Sequence, residues 1–119
     1  MELNELARQA ARDSKRWFPN ADHNVVLGAL CLAGEAGEFC NEIKKVMRQS
    51  PYVRPQLKGA ALEEFIDIFT YVLKLAGEND IDLEAEYNKK RDKNNLRWAG
   101  RVPEHPDPRL GGVETVEAL

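Results

Sequence analysis

At 119 residues the chain is the size of one domain, able to bury about two-thirds of its unfolded surface in a modest core. Charged residues make up 31% of it and the net charge is −3, which is not the basic excess of a nucleic-acid binder, so no nucleic-acid partner is expected. It holds no apolar run of the roughly 18 residues a membrane span needs, and its first stretch, MELNELARQAARD, is amphipathic and mixed in charge, unlike a signal peptide.

Apolar residues recur at helical spacing and almost nowhere at strand spacing, which predicts an all-α fold. A first helix is expected from Glu2 to Trp17, stopped by Pro19. A second opens near His23 or Asn24, with Asn24 or Asp22 as its cap, and runs to Arg48 ahead of Pro51. The segment QSPYVRPQLKG reads as a loop. A third helix spans Leu57 to Ala76 and stops at Gly77, and a fourth covers Leu83 to Arg97. Residues 1–100 form the domain, a four-helix bundle. Residues 101–119, rich in Pro and Gly, read as an extended or disordered tail.

The cysteines Cys31 and Cys40 stand nine residues apart on the second helix and point to opposite sides, so they cannot bridge each other. They read as small buried thiols of a reducing compartment, and a cytoplasmic location is expected. The third helix is apolar around most of its circumference from Phe65 to Ala76, and such a helix must be covered on all sides. Four helices leave a second subunit as the simplest cover, so a homodimer or homotetramer is expected.

Within that apolar helix sits Asp67. A buried carboxylate has to be paired, protonated or bound to a cation. GEAGEFCNEIKK places Glu35 and Glu38 three apart on one face of the second helix, with Glu42 on nearly the same stripe. LEEFID repeats the spacing with Glu64 and Asp67, and Glu63 stands four before Asp67. Either pair alone fits a solvated helix face or first-turn acids favoured by the helix dipole. Two pairs on facing antiparallel helices would repel each other unless a cation held them. Oxygen ligands suit Mg²⁺, with Mn²⁺ the alternative. The Glu-x-x-His pairs of di-iron bundles are missing, and no Cys or His spacing fits zinc. Gly28, Gly34 and Gly37 crowd the same helix, each costing about 1 kcal/mol relative to Ala, and suggest close helix–helix approach.

GEAGE followed after a loop by LEEFID resembles the EXXE…EXXD signature of the all-α nucleoside triphosphate pyrophosphohydrolases, the MazG-like and dCTP pyrophosphatase-like proteins. KRDKNNLRW is similar to the segment that closes the dCTP pyrophosphatase-like members, and Trp17 and Asn24 stand where those members carry an aromatic residue and an Asn. The resemblance covers roughly Leu6 to Trp98. Ile66 stands where the family commonly has a small residue, and Arg91 where it more often has an apolar one.

The resemblance implies cleavage of a (d)NTP between the α and β phosphorus to a nucleoside monophosphate and pyrophosphate. It implies Mg²⁺ held by Glu35, Glu38, Glu64 and Asp67, with Lys90, Asn94 and Arg97 reaching phosphates or sugar. For such chemistry Glu38 and Glu63 are the candidate proton acceptors, and Lys44, Lys45, Arg48, Arg54 and Lys58 could steer phosphate. Trp17, Phe18 and His23 could meet the base, and Tyr71, one turn past Asp67, could touch ligand, although core packing suits the aromatic residues as well and His23 also fits a plain helix start. A non-catalytic helical oligomer that binds a nucleotide or another protein is the alternative. A different metal phosphohydrolase would share the site and differ in products.

Overall fold

A computed structural model of the chain describes residues 2–49, 52 and 54–101. The described residues are all-helical, without strands: α1 (Leu3–Trp17), α2 (Val25–Gln49), α3 (Gly59–Glu78), α4 (Leu83–Arg97) and a 3₁₀ turn (Ala99–Arg101). Residues up to Glu84 form one compact unit and those from Ala85 a second. The expected tail falls outside the described residues, except that the 3₁₀ turn reaches Arg101.

α1 carries its small apolar residues on one side and buries Ala7 and Ser14. Ala7, Leu73 and Ala76 make the core, with Leu3, Leu6, Ala10 and Leu83 packed against it. The helix ends where the Phe18 N–H bonds the Ser14 carbonyl at 2.9 Å and Pro19 follows. α2 starts where Asn24 Oδ1 accepts the Leu27 N–H at 2.8 Å, an N-cap of the expected kind.

α3 differs from expectation at both ends. It begins at Gly59, whose φ of +61° breaks the run from Leu57 and suits a residue without Cβ. It runs past Gly77 to Glu78, and the stop is made by Asn79, whose Nδ2 donates to the Leu75 carbonyl at 2.8 Å, and by the Ile81 N–H on the Ala76 carbonyl at 2.9 Å. Gly77 does something else: a Cβ there would collide with the Ala7 carbonyl and the Ala11 side chain, so its lack of one lets α1 lie directly on α3.

α2 and α3 run antiparallel, as Gly28 lies under Leu75 at one end of the seam and the Phe39 and Phe65 rings meet at 5.9 Å towards the other. Of the three helix glycines, only Gly28 serves close approach. A Cβ on Gly34 or Gly37 would meet nothing. Asn4 ties the start of α1 to the α3–α4 connection, with its Nδ2 donating to Asp82 Oδ1 (2.8 Å) and its Oδ1 accepting the Leu83 N–H (2.9 Å).

The core of one chain is thin. Leu62, Phe65, Ile66, Phe69 and Val72 of α3 and Val25, Val26, Leu27 and Leu30 of α2 are all exposed. Both cysteines are free, as expected, but Cys40 is exposed rather than buried because it lies on the α2 side turned from α3, while Cys31 is half-buried. No described helix is long and apolar enough to cross a membrane.

Candidate metal centre

The α2–α3 seam determines what the acids can do. Antiparallel packing brings the middle of α2 to the first half of α3, and one carboxylate oxygen from each of Glu35, Glu64 and Asp67 lies within 4.8 Å of the others. Glu38 adjoins this trio through a hydrogen bond and charge repulsion with Glu64. Each helix contributes through the i,i+3 spacing that keeps two side chains on one face.

Glu35 and Glu64 are half-buried, whereas Asp67 is exposed, contrary to the expectation of a buried aspartate. The reason is geometric. The three helices of this unit leave Ile66, Asp67 and Phe69 of α3 exposed.

The electrostatics of the cluster are unfavourable as it stands. Partial burial, then the hydrogen bond and charge of Glu38, with Glu35 and Asp67 adding, push Glu64 up to about 7. Partial burial, then the charges of Glu38 and Asp67, raise Glu35 as well. Oε2 of Glu35 and Oε2 of Glu64 are buried without a hydrogen-bond partner, and no Lys or Arg pairs with the trio among the described residues. Lys45, whose charge reaches Glu64, spends its hydrogen bond on Glu42 at 2.8 Å. Converging acids with orphaned oxygens and no basic partner fit a hard divalent cation such as Mg²⁺ or Mn²⁺.

The other predicted residues are exposed or make contacts of their own. Glu63 is exposed, and no hydrogen bond or ion pair ties it to the trio among the described residues. Trp17 is 62% exposed beside the Arg16 guanidinium, 5.7 Å from its ring. Asn24 spends its side-chain oxygen on capping α2. Lys90, Asn94 and Arg97 are exposed on α4, with Arg97 over the Trp98 ring at 4.8 Å.

His23 is engaged within the protein. Its Nε2 donates to the Phe18 carbonyl at 3.1 Å and its Nδ1 stands 3.8 Å from Glu78 Oε1, which Lys74 approaches to 3.1 Å. The Glu78 side chain is only 6% exposed, so this cluster anchors the α1–α2 connection to the end of α3. Sequence reading missed it, though Lys74 and Glu78 at i,i+4 were a visible signal. Tyr71 is half-buried between this cluster and the acids. Burial, then a hydrogen bond with Cys31, raises its pKa, which fits packing in the seam.

Comparisons with protein-family models, curated proteins and solved structures find no match to this chain.

Proposed function

We propose that the chain is a Mg²⁺-dependent nucleoside triphosphate pyrophosphohydrolase of the MazG-like all-α kind, splitting (d)NTPs into monophosphate and pyrophosphate. The observation that carries this reading is the convergence of Glu35, Glu64 and Asp67 within 4.8 Å, with two buried carboxylate oxygens lacking a partner. Glu35, Glu64 and Asp67 would hold the metal, with Glu38 at its edge. A bound Mg²⁺ would offset the phosphate charge and acidify a water, which lets an acidic site accept a substrate with about four negative charges.

The chain's own part is positioning and proton handling. Glu38, exposed beside Glu64, would take the proton of an attacking water, with Glu63 the second candidate. Water oxygen attacks phosphorus, the bridging P–O bond breaks, pyrophosphate leaves, and the water proton passes to the carboxylate. Lys90, Asn94 and Arg97 would contact phosphate or sugar. The exposed apolar residues of α2 and α3 support a homodimer or homotetramer that completes the four-helix bundle and covers the site. That same surface supports the second reading, a non-catalytic oligomer that binds a nucleotide or protein.

The test is to incubate the purified protein with each common NTP and dNTP, with and without Mg²⁺, and separate the products, running Glu38→Gln and Asp67→Asn alongside. Mg²⁺-dependent monophosphate and pyrophosphate, lost in the variants, is the expected result. Diphosphate and phosphate would overturn the bond assignment, and no turnover of any nucleotide would favour the binding reading.

A further inference from the structure

The chain-wide charge that argues against nucleic acid is an average, and the charges are segregated. Residues 89–101 hold six cations and one acid, Asp92. On α4, Lys90, Lys93 and Arg97 follow one another at i, i+3 and i+7 and so share a face, with about 4.5–6 Å of helix rise between neighbours. All three are exposed, as is Arg101 beyond them.

At the end of this stripe the Arg97 and Arg101 guanidiniums lie 4.8 Å and 4.5 Å from the centroid of the same Trp98 ring. The backbone fixes that turn, with the Trp98 N–H on the Asn94 carbonyl and the Arg101 N–H on the Trp98 carbonyl, both at 2.9 Å. Neither arginine, nor Lys90 or Lys93, pairs with a carboxylate among the described residues. Cation–π attraction holds each guanidinium at the indole and leaves its N–H donors to an anion.

We propose that the Lys90–Lys93–Arg97–Arg101 stripe with Trp98 is a docking surface for single-stranded nucleic acid. The cations take successive backbone phosphates, and Trp98, still 40% exposed, and its arginines give a face on which a base stacks. A membrane surface does not fit, because the apolar residues of α4, Leu83, Ala85, Tyr87 and Leu96, fall on opposite sides of it at helical spacing, where an interfacial helix needs one apolar face. Glu86, one turn before Lys90 on the same face, is held by Lys89 at 3.2 Å, and at physiological salt charges beyond about 8 Å are largely screened.

The inference rests on the α4 stripe and not on the acidic cluster, although Lys90 and Arg97 also serve the pyrophosphohydrolase reading. Its test therefore uses Lys93 and Arg101, which that reading leaves unused. The full chain is titrated into a fluorescent twelve-nucleotide oligothymidylate at several salt concentrations, read by anisotropy. With three phosphates engaged, affinity should fall roughly twentyfold between 50 and 200 mM salt. The Lys93→Glu/Arg101→Glu double variant, with unchanged helical circular dichroism and unchanged nucleotide turnover, should lose at least about tenfold at 50 mM salt. No binding by the wild type at 50 mM salt would overturn the proposal, as would binding unaltered in the double variant. Displacement of the oligomer by a free nucleoside triphosphate as readily as by unlabelled oligomer would also overturn it, because the stripe would then be a mononucleotide phosphate site.

Discussion

Glu64, pushed up to about 7 by partial burial and by Glu38, keeps its proton in the folded protein at a pH where the unfolded chain has released it. The sign follows from that. Between the ordinary glutamate value and about 7 the folded state binds more protons than the unfolded state, so folding stability falls as pH rises through this window. Glu35, also raised, acts in the same direction. Without divalent ions the melting temperature should therefore drop from pH 5 to pH 8. Millimolar Mg²⁺ should reduce the drop, and Glu64→Gln should flatten it; calorimetry of both proteins across that range checks this. Asp67→Asn exchanges a charged oxygen of the proposed metal site for a neutral one. Removing groups that merely orient ligands already costs about 10–100-fold, so Mg²⁺-dependent turnover should fall on the order of 10²-fold or more, measured as kcat/KM. Part of this site was legible because i,i+3 acids on two helices can be read directly from the sequence. The exposure of Asp67 was not, since it depends on which sides of α3 the neighbouring helices cover. Nor was the engagement of His23 with Phe18 and Glu78, which are 5 and 55 positions away and meet only through the fold.

At the scale of the elements, the glycines separate into two kinds that sequence alone could not distinguish. Gly34→Ala adds a methyl to open space within a helix and should stabilise the protein by up to about 1 kcal/mol. Gly28→Ala forces Leu75 aside, and Gly77→Ala meets α1 backbone, so both should destabilise, by about 1–3 kcal/mol and with Gly77 the worse. Asn24→Ala removes the α2 cap and should cost about 1 kcal/mol. Urea denaturation of the four variants would rank them, and a stabilising Gly77→Ala would refute the close α1–α3 contact. Helix identity was well marked by apolar periodicity, by Pro19 and by the Asn24 cap, and the α4 bounds agree with the spacing. The ends of α3 were misread for a local reason. Gly59 and Gly77 both look like helix punctuation, but one starts the helix through a positive φ and the other lies inside it to admit a neighbour.

For the whole molecule, four buried apolar residues among those described are few for such a chain, and the exposed α2 and α3 side chains are large. Monomers rarely leave so many apolar groups on adjoining helices uncovered. Sedimentation velocity should show a mass of at least two 13.5 kDa chains, and Ile66→Glu should shift it towards one. The central claim, that Glu35, Glu64 and Asp67 hold a divalent cation, is tested most directly by titrating Mn²⁺ into the protein at pH 7.5 and following free Mn²⁺ by electron paramagnetic resonance. The wild type should deplete the free signal, with excess Mg²⁺ reversing the depletion and Glu64→Gln abolishing it. A free signal undiminished at millimolar protein, or depletion equal in the variant, would contradict the claim.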